Sequence, residues 1–201
     1  MTAHLRTSPS AARNRGPILD VLRQWLPASG EVLEIAAGTG EHAAWFSAAF
    51  PDLAWRPTDA DPDALETIDA WREAAGAPNL LTPLHLDASQ ADPWPVAHAD
   101  AVVCINMVHI SPWAATEGLM RGAAQVLPPG GVLYLYGAYK EGGVHTALSN
   151  AAFDESLRTR NPAWGVRDLE AVTAEAEKNG LRLVARIPMP ANNLSVVFRK
   201  D

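Results

Sequence analysis

The sequence predicts an α/β fold in which a doubly wound, mostly parallel sheet of seven strands is closed by an antiparallel last strand. Short apolar runs alternate with helical patterns along the chain, and a glycine-rich turn follows the first apolar run. The last two apolar runs are joined by a short link, whereas parallel neighbours need a crossover of about a dozen residues or more. The final pair is therefore expected to be an antiparallel hairpin.

Each element has its own signal, taken in chain order. Apolar residues at helical spacing predict a first helix, which Pro27 and Gly30 end. Proline after an N-cap acid starts the helix at Asp61-Pro62, and Asn179-Gly180 is a C-cap signal. The predicted strands are 31–37, 53–59, 79–87, 100–106, 132–137, 181–187 and 194–199. The predicted helices are 18–26, 41–50, one from 61, 111–127, one interrupted near 161–162, and one from about 167 to 179.

Size and composition indicate one globular domain. The 201 residues suit a single α/β domain, so we expect one domain over 1–201 with residues 1–10 loosely ordered. A net charge of −7 opposes a large phosphate-neutralising surface, so the sequence carries no strong nucleic-acid signal, although a local basic groove stays open. No stretch approaches the roughly 20 apolar residues of a membrane span, so no membrane partner is expected. The sequence carries no signal for an oligomeric state.

Compartment and metal use follow from residue types. The single Cys104 cannot form an internal disulfide, and the N-terminus has no apolar core of a secretory signal. Both observations favour a cytoplasmic location. The histidines have no metal-ligand spacing, and Cys104 is expected to be a buried packing residue, so no metal site is predicted.

The turn after the first strand, Ala36-Ala37-Gly38-Thr39-Gly40-Glu41-His42, is the first candidate for ligand binding. Ligands of open α/β sheets bind beyond the carboxyl ends of the strands. The turn departs from the dinucleotide fingerprint G-x-G-x-x-G, because Ala36 takes the first position and position 43 is alanine. It also lacks the Lys and Ser/Thr of a phosphate-binding P-loop. The alternative is a plain strand-to-helix turn.

Acidic residues end the next two predicted strands. Asp59 follows the glycines by about twenty residues, where a carboxylate meets a ribose in this architecture. Asp87 ends the third strand, where a carboxylate can accept from an adenine amine. Either acid alone is more often a helix cap or a loop residue. Together with the glycine-rich turn, they predict a nucleoside pocket.

The order of elements and the motif Glu34-x-Ala-x-Gly-x-Gly40, with Asp59 and Asp87, resemble the class I S-adenosylmethionine-dependent methyltransferases, which share a seven-stranded Rossmann-like sheet. Further motifs resemble an uncharacterised methyltransferase-like family, a domain of unknown function. These motifs are Ala12–Asn14, Leu33–Ala36, Gly38–His42, Cys104–Ile110, Ser111–Trp113, Ser149-Asn150, Phe153-Asp154, Trp164–Leu169 and Met189–Asn193. The resemblance implies the fold and S-adenosyl-L-methionine as cofactor, and it implies no substrate.

The resemblance also implies roles for individual residues. Glu34 and the loop with Ala36, Gly38 and Gly40 would surround the methionine part of the cofactor. Asp59 would hold the ribose, and Asp87 with Ala88 would meet the adenine. Asn106 would face the reacting methyl group, and His42 would sit against the cofactor loop. Arg13 and Asn14 are expected either to cover the cofactor or to form ordinary helix surface.

His109 is the candidate catalytic base. It lies three residues after Asn106, and an unperturbed imidazole pKa of about 6.5 suits proton removal near neutrality. The alternative is a histidine that caps the helix starting at Ser111. Alignment alone can lower a barrier by roughly 7–11 kcal/mol, so methyl transfer does not require a base.

Substrate contacts are expected from segments around the carboxyl ends of the strands. Arg167 is expected either to bind a substrate carboxylate or to pair with Asp168 or Glu170. Asn192-Asn193 is expected to bind substrate, although asparagine in a turn is common. The full set of candidates is Tyr136, Tyr139, Asn150, Trp164, Arg167, Asn192 and Asn193.

Three functions fit these observations. The first is methyl transfer to an oxygen or nitrogen of a small molecule. The second is a binding protein of the same fold that holds the cofactor without transferring its methyl group. The third is an NAD-dependent oxidoreductase, which the missing third glycine disfavours. Methylation of a nucleic acid or protein stays open, although the chain has no Asn-Pro-Pro-Tyr motif.

Overall fold

A computed structural model describes residues 5–90 and 93–201. Its strands are β1 Gly30–Ile35, β2 Leu53–Asp59, β3 Leu84–His85, β4 Ala101–Ile105, β5 Val132–Gly137, β6 Tyr139–Glu141, β7 Val144–His145, β8 Arg167–Asp168, β9 Leu181–Met189 and β10 Asn193–Lys200. Its helices are α1 Pro9–Trp25, α2 Glu41–Ala49, α3 Pro62–Ala75, α4 Trp113–Val126, α5 Leu148–Arg160 and α6 Leu169–Lys178.

The main sheet has seven strands in the order β3-β2-β1-β4-β5-β10-β9. Strands β1 to β5 pair in parallel, and β10 is antiparallel to both β5 and β9. The predicted doubly wound, mostly parallel sheet with an antiparallel last strand is confirmed. Because the order reverses between β1 and β4, the carboxyl ends of these strands form the switch point where ligands of such sheets bind.

Helices cover both faces of this sheet. On one face, α1 and α2 contribute Ile18, Leu22 and Phe46 to a core with alternate residues of β1, β4 and β5. On the other face, α4 and α6 contribute Leu119 and Val172 to the second core. All five residues of β4 are buried, as expected for a central strand covered on both sides. Within the described residues, no helix has the length and apolar character needed to cross a bilayer.

The third strand is shorter than predicted. The sequence predicts a strand over 79–87, but only Leu84–His85 form β3, and Leu80 adds an isolated bridge to Trp55. Pro83 interrupts the run, because proline has no N–H to donate to a ladder and is confined to edge positions in sheets. The carboxyl end of the strand, where Asp87 follows, is unchanged.

The first helix starts earlier than predicted. Residues 1–10 were expected to be loosely ordered, but α1 begins at Pro9, and the Ser8 side chain accepts from the amide of Ala11. The amide of Ser8 also donates to the Glu41 carboxylate over 2.7 Å. This N-cap and the Glu41 contact order the chain from Ser8 onward, while residues 1–4 lie outside the described residues.

A second, three-stranded sheet in the order β7-β6-β8 follows the end of β5. Gly142 and Gly143, both with positive φ, form a tight turn between β6 and β7. The buried Asp154 connects α5 to β6 and β7, because its carboxylate lies 3.3 Å from both Lys140 and His145. The segment is therefore an ordered subdomain beside the carboxyl edge of the main sheet.

Candidate ligand-binding site

The two glycines of the loop after β1 serve different purposes. Gly40 has φ 84°, and a Cβ there would lie 2.7 Å from the Cα of Ile68, so only glycine lets α2 approach α3. Gly38 has φ 61°, and a Cβ there would meet no atom within 4 Å. Ala36 also adopts a positive φ of 56°. The loop thus presents main chain to open space at Gly38, which is what close approach of a ligand requires.

Asp59 lies directly beside this loop. Its Oδ2 accepts from the Gly38 amide over 2.8 Å, and its Oδ1 accepts from the Asp61 amide over 3.0 Å. An ionised carboxylate offers about four acceptor positions, so two stay available. Two acceptor positions at the end of β2 match the two hydroxyls of a ribose.

Asp87 and Ala88 follow β3 at the same edge of the sheet. The Asp87 carboxylate accepts from the Ser89 amide, the Ser89 hydroxyl and Gln90, and the hydroxyl bond lowers the pKa of Asp87. Ala88 is buried, and its carbonyl lies so close to α4 that any Cβ at position 118 would overlap it. One acceptor position of Asp87 stays available for an amine.

Glu34 is buried at the end of β1. Its Oε2 accepts from the Trp55 indole N–H over 2.6 Å, and its side chain is 1% exposed. Burial raises the pKa of Glu34 to about 8, so the carboxyl is mostly protonated near neutrality. The contact with the methionine part of a cofactor stays a prediction, because the contact present here is with Trp55.

These residues fit S-adenosylmethionine as sequence analysis implied. The open main chain at Gly38 leaves room for the ligand, while Asp59 and Asp87 offer spare acceptors at the ends of β2 and β3. None of the three carries a positive charge that would oppose a sulfonium. The described residues contain no group of three or more His, Cys, Asp or Glu side chains that could hold a metal ion.

A cavity of about 960 Å³ opens at the carboxyl ends of β4 and β5. Asn106, which follows β4 with φ 65°, and Tyr136 of β5 belong to its lining. Its lining includes candidates that the sequence had suggested for both cofactor and substrate. Those candidates are Arg13, Asn14, Asn106, His109, Tyr136, Asn150, Asn192 and Asn193. The site roles of these residues stay predictions, but the fold brings all eight to one cavity.

His109 belongs to this lining and is 3% exposed. Its ring meets the Phe153 ring edge-on at 5.3 Å, and its main-chain oxygen accepts from the Gly165 amide over 3.0 Å. Burial, and then the charges of Arg167 and Arg160, lower the pKa of His109 to about 4. The alternative of a helix-capping histidine is wrong, because Pro112 is the N-cap of α4 and no side chain caps it.

Asn14 connects α1 to the site. Its Oδ1 accepts from the His42 Nε2–H over 2.8 Å, and Asn14 lines the cavity together with Tyr136. Burial, helped by Arg15, lowers the pKa of His42 to about 4, so the imidazole is neutral. The surface alternative for Asn14 is therefore wrong: it is a half-buried bridge, and His42 stacks on Phe46.

The β9–β10 turn forms another wall of the cavity. Ala191 and Asn192 have φ values of 57° and 58°, which turn the chain sharply between the two strands. The Asn150 side-chain amide donates to the main-chain oxygen of Asn192 over 2.9 Å. The side chain of Asn193 donates within the turn to Pro190 and Ala191. The asparagines therefore build the turn and also line the cavity.

Three of the predicted substrate contacts lie elsewhere. Tyr139 is 1% exposed and packs in a hydrophobic core, because β6 turns it inward. Trp164 packs against a small cluster around Leu157 and does not line the cavity.

Arg167 neither faces the cavity nor pairs with Asp168 or Glu170. Its guanidinium donates to three main-chain oxygens, those of Val108, Ser111 and Ala163. Pairing with Asp168 or Glu170 is wrong, because three of the five guanidinium N–H groups donate to these carbonyls and no ion pair with either acid forms among the described residues; the substrate contact stays a prediction, and Arg167 does not belong to the cavity lining.

Sequence reasoning missed several lining residues. Phe153 and Ile110 supply apolar walls, and their signal was only their place in motifs such as Phe153-Asp154. The remaining missed residues are Ser10, Pro17, Ala138, Ser149, Pro190 and Ala191. The Gly142-Gly143 pair was a detectable hairpin signal for the subdomain that supports this wall.

Comparison with known proteins adds a family and a fold. A family model described as "Protein of unknown function (DUF938)" matches residues 5–200. An O-methyltransferase family 2 protein from Planctomyces limnophilus, solved in complex with apigenin, is 21% identical with a TM-score of 0.79. An O-methyltransferase family protein from Burkholderia thailandensis is 16% identical with a TM-score of 0.82. The YcgJ protein from Bacillus subtilis is 17% identical with a TM-score of 0.70.

Coverage differs among these structures. The matches cover 96%, 96% and 94% of this chain, respectively. The chain spans only 60% and 57% of the length of the two O-methyltransferases, but it matches 98% of YcgJ. At these identities, the likeness establishes the methyltransferase-type fold that the sequence predicted.

Proposed function

Because this chain belongs to the DUF938 family and has the methyltransferase-type fold, we propose that it transfers a methyl group from S-adenosylmethionine to an oxygen or nitrogen of a small molecule. One observation carries the proposal. The open loop at Gly38 with Asp59, and the cavity with Asn106, lie at adjacent carboxyl ends of one sheet. A nucleoside site and an acceptor site side by side are what a group transfer between two ligands requires.

In this proposal, Asp59 binds the ribose hydroxyls and the Gly38 main chain follows the methionine part. Asp87 accepts from the adenine amine. When bound, S-adenosylmethionine supplies a methyl group activated on a sulfonium. Asn106 follows β4, the strand next to β1, and so orients groups between the cofactor loop and the cavity.

His109 orients the acceptor. With a pKa of about 4, its imidazole is neutral from about pH 5 upward. The neutral ring can accept a hydrogen bond from the O–H or N–H group of the substrate that receives the methyl group. As a weak base, His109 orients the lone pair of the methyl acceptor toward the methyl carbon. The C–S bond breaks as the new C–O or C–N bond forms, S-adenosylhomocysteine leaves, and the proton lost from a methylated O–H or N–H passes to water. Activity should therefore be insensitive to His109 protonation between pH 6 and 8 and fall only near pH 4.

Calorimetry with S-adenosylhomocysteine and with NAD tests the cofactor. We expect binding of S-adenosylhomocysteine and none of NAD. Asp59→Asn should weaken that binding about 10-fold or more, because it removes a charged acceptor. Asp52→Asn is the matched control, since Asp52 is an exposed acid at the opposite end of β2. Absence of S-adenosylhomocysteine binding would refute the proposal, and tight NAD binding would favour the oxidoreductase.

Methyl transfer is separated from binding by His109→Gln. This variant should retain S-adenosylhomocysteine binding and lose about 10-fold or more of the transfer rate, because it removes the hydrogen bond that aligns the methyl acceptor. A cofactor-binding protein without transfer predicts no labelled product from either form. Equal transfer by both forms would contradict the role of His109.

A further inference from the structure

The cavity at the carboxyl ends of β4 and β5, called the acceptor cavity below, is lined by a positive side chain and by no negative one. Among its sixteen lining residues, Arg13 is the only Lys, Arg, Asp or Glu, and no carboxylate belongs to the lining. Arg13 is exposed on α1, and no ion pair of the described residues involves it. The chain as a whole has a net charge of −7, so this cavity differs in sign from the average surface.

Two carboxylates near the cavity, Glu41 and Asp154, are already paired. Glu41, the first residue of α2, lies against the start of α1. Its carboxylate accepts from the Ser8 amide and lies 3.9 Å from Arg15. Asp154, next to the lining residue Phe153, is surrounded by Lys140, His145 and Arg158 at 3.2–3.3 Å. A cationic acceptor would therefore find no free counter-charge among these groups.

The inner wall adds positive charge. The Arg167 guanidinium reaches the main-chain oxygens of Val108 and Ser111 on either side of His109. After burial, which is the larger cause, the charges of Arg167 and Arg160 also lower the pKa of His109, as expected for positive charge close to this wall. Arg13 in the lining and Arg167 behind His109 favour a negatively charged occupant.

We propose that the methyl acceptor is an anionic small molecule, carrying a carboxylate or a comparable oxyanion that pairs with Arg13. The inference rests on the proposed methyl transfer and names its substrate class. The guanidinium of arginine matches a carboxylate with two parallel N–H donors, which gives geometry as well as charge. The amides of Asn14, Asn150 and Asn192 and the ring of Phe153 then contact the uncharged part of the acceptor.

The test begins with a small-molecule extract of the cells that make the protein. The extract is divided by ion exchange at pH 7 into anionic, neutral and cationic fractions before any reaction. Each fraction is incubated with the full chain and S-adenosylmethionine carrying a labelled methyl group. We expect label in the anionic fraction. Label only in the neutral or cationic fraction would overturn the anionic acceptor and leave methyl transfer standing. No label in any fraction would overturn methyl transfer itself.

Variants of Arg13 then test the contact. Arg13→Gln should raise the acceptor concentration needed for half-maximal rate about 10-fold or more, whereas Arg13→Lys should recover part of the loss. Arg23→Gln is the matched control, because Arg23 is an exposed arginine of the same helix, outside the cavity lining, that lies 3.6 Å from Asp20. Equal half-maximal concentrations for Arg13→Gln and Arg23→Gln would overturn the pairing with Arg13.

Discussion

The Arg167 side chain donates a hydrogen bond of 2.7 Å to the main-chain oxygen of Ser111, 56 residues earlier in the chain. A second bond from the same guanidinium reaches Val108, and the Gly165 amide donates to His109 between them. The segment around β8 therefore holds the main chain that carries His109. An arginine that looked like a substrate ligand in the sequence supports the cavity wall from behind.

Removing this arginine should change both stability and the titration of His109. Arg167→Gln is expected to lower the free energy of unfolding by about 2–4 kcal/mol, because hydrogen bonds from a charged donor are lost. It should also raise the pKa of His109 above about 4, because a nearby positive charge is removed. Urea unfolding and NMR titration of the imidazole measure the two effects. Arg182→Gln, on the exposed start of β9, is the control, and an unmoved His109 titration would contradict the prediction.

Glu34 should make stability depend on pH. Its pKa is about 8 in the folded protein against an ordinary value of 4.5, so its contribution is complete below pH 4.5 and is lost as pH rises to 8. Glu34→Gln keeps an acceptor for Trp55 and cannot ionise. We expect the variant to be more stable than the natural protein at pH 8, by about 2–4 kcal/mol relative to the difference at pH 5. Urea unfolding of both proteins at pH 5 and pH 8 measures this. An equal difference in unfolding free energy between Glu34→Gln and the natural protein at the two pH values would contradict a protonated Glu34.

The two glycines of the first loop should respond differently to alanine. Gly40→Ala brings a Cβ to 2.7 Å from Ile68 at a positive φ, so it should cost about 2–4 kcal/mol of stability. Gly38→Ala meets no atom and should cost about 1 kcal/mol from backbone strain. Because its methyl group enters the open space, it should nevertheless weaken S-adenosylhomocysteine binding strongly. Thermal unfolding and calorimetry separate these effects, and unchanged binding in Gly38→Ala would argue against a ligand there.

Tyr139 should be replaceable. Its hydroxyl is buried, and the hydrogen bonds of the described residues include none to that oxygen. Tyr139→Phe should therefore leave the free energy of unfolding unchanged or raise it by about 1 kcal/mol, with ligand binding unaffected. Tyr134→Phe is the matched control, since the Tyr134 hydroxyl bonds to Ser195 over 2.7 Å in the core, and it should destabilise by about 1 kcal/mol. Loss of binding in Tyr139→Phe would restore its proposed substrate contact.

Much of the site's framework was accessible from the sequence, because it depends on strand ends. The loop at Gly38, Asp59, Asp87 and Asn106 all follow apolar runs, and parallel strands bring their carboxyl ends to one edge. The cavity lining was harder to predict. Tyr136 and Tyr139 are three residues apart, but only Tyr136 lines the cavity, since β6 directs Tyr139 into a core.

By itself, the sequence determined the order of the elements, the parallel sheet with its antiparallel end and the place of the glycine loop. These features follow from local apolar periodicity and from turn and cap residues, which act over a few neighbours. Only the tertiary structure decided that Arg167 binds the main chain beside His109 and that Asn150 donates a hydrogen bond to Asn192. It also decided that Arg13 lines a cavity without carboxylates. Those relationships join segments about 40 residues or more apart, and the direction of a polar side chain there depends on which partners packing brings within reach.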